Sequence, residues 1–160
     1  MIGLHQHLPT GQREQLLRWL RGNTIAADAI AAVLAISHTW DDLIDKDKAQ
    51  TDAEISAAFR YALVGLPRNP FWRAHQDELT LLLEHAIMDW MTANAFEREN
   101  RLIHASHVLR CGAASLIIRA ATIIGGFEHG AAVSTEVRAA HLDDFGDYCR
   151  EHGGLNDGMG

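Results

Sequence analysis

The stretch from Thr24 to Ile36, TIAADAIAAVLAI, constrains this chain more than any other. Asp28 aside, it is apolar on every side at helical spacing, and it stays so until His38. A helix with no polar face cannot lie on a surface in water, so it belongs at the centre of a bundle with other helices packed around it. The remaining sequence offers those helices, and no segment alternates with the period of two that a strand requires. The predicted fold is therefore all-α, a bundle of about six helices.

Local punctuation sets their limits. Leu16, Leu17 and Leu20 give a short amphipathic helix from Gly11 to Arg21, ended by Gly22. Asn23 or Thr24 caps the apolar helix, which runs over 25–45. Thr51 with Glu54 is a capping box that opens a third helix reaching Leu66, where Pro67, Asn69 and Pro70 stop it. Apolar residues at 79, 82, 83, 86, 87, 90 and 91 carry a fourth, from Phe71 to Glu99. A fifth covers 101–124 and closes on Gly125 and Gly126, and the last covers 131–150. Residues 1–10 read as irregular. Residues 1–152 read as a single domain, and 153–160, GGLNDGMG, as a disordered tail.

Two patterns of carboxylates stand out. His38-Thr39-Trp40-Asp41-Asp42-Leu43-Ile44-Asp45 sets Asp41 and Asp45 one helical turn apart on one face, with Asp42 beside them and His38 a turn earlier. Three anions at a helix C-terminus oppose the macrodipole, at about 0.3–1 kcal/mol each. Mg2+ would relieve that conflict, since it takes a few carboxylate oxygens and bridges to phosphate. The plain alternative is a solvated helix end. The pattern returns in His141-Leu142-Asp143-Asp144-Phe145-Gly146-Asp147. Further metal-ligand spacings are His85 with Asp89 and His104 with His107. Arg119, inside SLIIRAATII, either snorkels to the surface or meets a buried partner.

Charge and composition exclude other classes. A net charge of −7 with no basic run speaks against nucleic acid and against an anionic membrane surface. The longest uninterrupted apolar run, Ala29 to Ile36, is too short to span a bilayer. Cys111 and Cys149 have no metal spacing and form no disulfide framework, which suits a reducing compartment. With no signal pattern at the N-terminus, the expected location is the cytoplasm.

In their order along the chain these features resemble the trans-prenyltransferase branch of the isoprenoid (class I terpenoid) synthases. Ala35 to Asp45 is similar to that family's first aspartate-rich motif, and Ala139 to Tyr148 to its second. Ala86-Ile87-Met88-Asp89-Trp90 falls where the family has GQxxDL, and Gly112 to Leu116 where it has KTAxL. The resemblance implies an α bundle in which the two motifs face each other and hold Mg2+ ions on an allylic diphosphate. On that reading the metal ligands are Asp41, Asp42, Asp45, Asp143, Asp144 and Asp147, with His38, His85, Asp89 and His141 as further candidates. The family's Lys-Thr is Gly112-Ala113 here, and no Arg-Arg follows the first motif. That leaves Arg119 as the remaining candidate for diphosphate binding. The chain also resembles small helical proteins found in phages and prophages, which implies no mechanism.

The leading expectation is thus a Mg2+-dependent protein that binds a diphosphate-bearing small molecule, with a homodimer admitted. One alternative is a non-catalytic helical interaction or structural protein that retains the fold. A second is an all-α nucleotide pyrophosphatase, whose ExxE…ExxD pattern is absent from the sequence.

Overall fold

The computed structural model describes residues 11–46 and 48–152, so the expectations for 1–10 and 153–160 lie outside the described residues. The protein is all-α, and no strand occurs among the described residues. In chain order the helices are α1 (Gln12–Trp19), α2 (Thr24–Asp45), α3 (Asp52–Arg60), α4 (Leu66–Arg68), α5 (Pro70–Arg98), α6 (Ile103–Arg110), α7 (Ala114–Gly125), α8 (Phe127–Leu142) and α9 (Phe145–Glu151). A π turn, Tyr61–Gly65, joins α3 to α4, and a 3-10 turn, Cys111–Ala113, joins α6 to α7. Taken through these turns the described residues make six helical stretches, in line with the six or so that the punctuation predicts. It divides into two compact units, one ending at Gln76 and one beginning at Asp77.

In the first unit α2 is the core. Its residues Ala26, Ala27 and Ala29 to Ala35 are all buried, packed with Leu16, Trp19 and Leu20 at the end of α1. Asn23 starts the helix by accepting the Ala26 N–H at 3.0 Å, a cap that stabilises by about 1 kcal/mol. Both halves of the Thr51–Glu54 capping box form at the start of α3. The π turn was not legible from the spacing. Its wider ring adds one residue to a turn and lays the Tyr61 ring against Gly65, where a Cβ would stand 2.9 Å from the ring. A small open hollow of about 100 Å3 lies beside it, lined by Asp28, Ala29, Ala32, Tyr61, Gly65, Leu66 and Asn69. Asn69 then accepts the N–H groups of Phe71 and Trp72 and donates its own amide to the Ile25 carbonyl at 2.9 Å. One side chain therefore starts α5 and ties it to α2. Near the unit boundary α5 departs from helical geometry at His75, with φ −129° and ψ 15°.

The second unit holds the rest of α5 and everything after it. Leu79, Ala93, Ile103, Leu116, Ile117, Ala120, Val133 and Val137 form its core. Two glycines set how closely its helices approach. A Cβ on Gly112 would come within 2.9 Å of the Ala86 Cα on α5, and one on Gly130 within 2.1 Å of the Thr122 hydroxyl. Gly126, at φ 82°, makes the sharp reversal between α7 and α8. Ile103–Gly125 is long and apolar enough to cross a membrane by length and composition. Here its Arg110 and Arg119 are held by Glu97 and Glu78 of α5.

The last helix differs from its predicted span of 131–150. It begins earlier, at Phe127, and breaks at Asp143 and Asp144 before α9 resumes at Phe145. Two of the three aspartates of the second motif thus occupy a turn. Aspartate is among the weaker helix formers, so two in succession suit such a turn. The Asp144 side chain also reaches across to another helix.

Candidate functional site

The first motif lies on the last turns of α2, in the first unit. Asp41, Asp42 and Asp45 are half-buried and His38 is exposed, and no basic residue sits in that last turn. Asp42 accepts a hydrogen bond from the Gln50 side-chain amide at 2.5 Å. Lys46 closes the helix in the left-handed region, its N–H on the Asp42 carbonyl.

The second motif lies in the second unit. Asp143, Asp144 and Asp147 are exposed. Asp147 pairs with Arg150 one turn on, and the His141 Nδ1 donates to the Val137 carbonyl at 2.9 Å. Asp144 stands 2.9 Å from Nε2 of His107, whose side chain is 5% exposed against 73% for the aspartate. Nε2 donates there, and Nδ1 of the same ring is buried with no hydrogen-bond partner.

Beside that contact lies a polar constellation drawn from three helices. Trp90, Asn94 and Glu97 follow one another at helical spacing on α5. Arg110 of α6 donates from Nε to one Glu97 oxygen at 2.7 Å and from Nη2 to the other at 2.5 Å. The same Nη2 reaches Oδ1 of Asn94 at 2.5 Å, and the guanidinium lies 5.9 Å from the Trp90 ring centre. From α9, Tyr148 donates its hydroxyl to Glu97. The His107 ring packs between Tyr148 and Phe145, with centroids 4.7 and 5.2 Å away.

Burial alone would raise the Glu97 carboxyl. The hydrogen bonds from Arg110 and Tyr148, with the charges of Arg110 and His152, outweigh it and hold the group below its ordinary value. Burial, and then the hydrogen bond to Glu97, push the Tyr148 phenol well above its own. A carboxylate that already receives three donors is a poor proton acceptor, and a phenol held so firmly in its neutral form is a poor acid. The hydrogen bonds of Glu97 with Arg110 and Tyr148 join three helices, α5, α6 and α9.

The other expected residues are dispersed. His85 is exposed and Asp89 half-buried on α5. Arg119 is 45% exposed and pairs with Glu78, the surface alternative of the two weighed for it. His104 is exposed with its ring 5.4 Å from Phe145, which the His107 ring also meets. Cys111 is buried, and burial followed by the charge of Asp144 raises its thiol above the ordinary value, which leaves it inert near neutral pH. Among the described residues no group of three or more His, Cys, Asp and Glu is arranged to hold a metal ion. No family model, curated protein or solved structure matches the chain.

The sequence reading singled out none of Asn94, Glu97 and Arg110. A usable signal was present. Asn94 and Glu97 share a face of α5 with buried Ala93 alongside, and a polar pair on an inward face implies a partner inside.

Proposed function

We propose that this chain is a helical interaction protein, the non-catalytic alternative above. The observation that carries the reading is the outward face of α5 in the second unit, where Leu81, Met88 and Met91 are 61%, 47% and 58% exposed. Single exposed apolar residues are ordinary, whereas a row of large ones along one helix marks a binding surface. Methionine suits such a surface, because its flexible thioether adapts to a partner's shape. The inward face of the same helix holds the Glu97–Arg110 brace, which makes α5 a stiff support for what its other face meets. A photoreactive residue placed at position 88, with one at the exposed Thr135 of α8 as control, tests the reading in cells. A discrete adduct from position 88 alone supports it, and the same smear from both positions refutes it.

A second reading keeps the metal. Asp41 and Asp45 share one face of a helix end that has no basic residue in its last turn, and a divalent cation there would offset the helix dipole. Mg2+ should then raise the melting temperature by mass action, and Asp41→Asn with Asp45→Asn should remove most of the rise. Equal shifts in both proteins would mean screening and end the metal reading.

A further inference from the structure

The break between α8 and α9 lacks the devices that end α2 and α7. Those helices close on Lys46 in the left-handed region and on Gly126 at φ 82°, whereas Asp143, at φ −66° and ψ −28°, is still helical. Only Asp144 departs, at φ −89° and ψ 11°, about 50° from the ordinary helical ψ, and its side chain caps no N–H of α9. Rotation about that one residue makes α8 and α9 a single helix. The sequence already suits one. Val133, Val137, His141, Phe145 and Tyr148 recur every three or four residues, so the face that buries Val133 and Val137 in α8 runs on into α9. A straight helix would also join the last carbonyls of α8 to the first N–H groups of α9, which the break keeps apart.

What holds the break is the docking of α9. Phe145 and Tyr148 pack on the His107 ring, and Tyr148 donates to Glu97. These partners lie on α6 and α5, ahead of the break in the chain. Straightening would strip Glu97 of its phenol and uncover His107, unless another α9 took the vacated place. The contacts specify that occupant: two rings for His107 and a phenol for Glu97, at the spacing of residues 145 and 148. A second copy of this chain supplies all of them.

We infer that Asp143 and Asp144 form a hinge through which two copies of this chain exchange α9, each lending its Tyr148 to the Glu97 of the other. Reciprocal exchange closes a two-fold dimer. The contact of Asp144 with His107 sits in the hinge and is given up, a small loss for an aspartate 73% exposed. The other docking contacts are those of two monomers. Helical bonds gained at the two hinges therefore weigh against the freedom lost on association, and concentration decides between the forms. The exchange uses no residue of the outward face of α5, so it stands apart from the interaction reading above.

The test refolds the full chain from urea at low and at high protein concentration and separates monomer from dimer by size. Dimer forms at the high concentration. Gly146→Ala shifts the balance toward it, because a glycine in the first turn of α9 becomes interior to the straight helix, where it is poorly tolerated. The added Cβ meets nothing nearer than the Arg150 guanidinium at 3.6 Å, so the monomer accepts it too. Acting once in each chain, the change raises the dimerisation constant by about tenfold or more. Thr135→Ala, on the exposed side of α8 and away from the hinge, leaves that constant unchanged. A photoreactive residue at position 145 reports whose α6 it meets, and one at the exposed His104, which faces Phe145, reads the same contact from the other side. On a denaturing gel the dimer fraction gives chains joined in pairs and the monomer fraction gives single chains. Circular dichroism confirms that each variant is folded. No dimer from either wild type or Gly146→Ala overturns the proposal, as does an equal response to Gly146→Ala and Thr135→Ala. A dimer whose crosslinks all stay within single chains is a side-by-side pair and overturns the exchange.

Discussion

Removing Arg110 should damage this protein more than removing any arginine at its surface. The Arg110 and Glu97 side chains are 22% and 10% exposed, and three hydrogen bonds leave the one guanidinium, two to the carboxylate and one to Asn94. In Arg110→Ala, Glu97 stays buried and charged with Tyr148 as its remaining partner, and Asn94, whose Nδ2 already has none, loses the partner of its oxygen. Stranding one member of a largely buried ion pair costs about 3–5 kcal/mol. At roughly 2–4 °C per kcal/mol for a chain of this size, the melting temperature should fall by about 10 °C. Arg101→Ala is the control. Its pair with Glu99 is 54% and 55% exposed, so the change should stay within about 1 kcal/mol. Arg110→Met combined with Glu97→Met strands no buried charge and should recover part of the loss, the remainder being the partners that Asn94 and Tyr148 no longer have. Urea unfolding of wild type, Arg110→Met, Glu97→Met and the double variant gives the coupling between the two positions as a double-mutant cycle. An Arg110→Ala protein no less stable than Arg101→Ala would refute the brace.

Two further changes probe the same unit. Because the folded protein holds the Glu97 carboxyl below its ordinary value, that group contributes stability fully present above the unfolded value of about 4.3 and lost as pH falls through the folded one. The stability gap between wild type and Glu97→Gln should therefore stay constant above about pH 5.5 and shrink below about pH 4.3. Urea midpoints across that range measure it, and a gap that widens on acidification contradicts the assignment. Gly112→Ala puts a Cβ 2.9 Å from a backbone atom of α5, so the helices must separate, at about 1–3 kcal/mol. Ala86→Gly should give partial rescue at most, because it removes the Ala86 Cβ at 3.0 Å and leaves the Ala86 Cα at 2.9 Å. Full recovery in that double variant would show that the crossing is looser than described.

The residue types that punctuate helices were legible in the sequence because each acts locally. Asn23, Thr51 with Glu54, and Gly126 need only their neighbours to do their work, and each stands at a helix end. The break at Asp143 and Asp144 was not legible, because the apolar period continues through it and the contact that Asp144 makes there is with His107 on another helix. The π turn escaped for a similar reason: one added residue leaves every apolar residue in place and only rotates the next turn. The site was the least legible part. DDxxD is a local pattern, and it drew attention to carboxylates that face solvent or near neighbours. Glu97, Arg110 and Tyr148 have no common local pattern, and only the packing of three helices brings them together. Gly112 is also fixed by packing rather than by any local pattern. The backbone of α5 occupies the space that the first carbon of a lysine side chain would need.

The two cysteines have a practical consequence that follows from where they are. Cys111 and Cys149 are both free and buried, both belong to the second unit, and the sequence contains no others. Three of the four tryptophans, Trp19, Trp40 and Trp72, belong to the first. The natural chain therefore carries a separate reporter in each half. A thiol reagent reacts only when the second half opens, while fluorescence is weighted toward the first. If labelling and emission change at the same urea concentration, the halves unfold as one cooperative body, and if they part, each has a stability of its own.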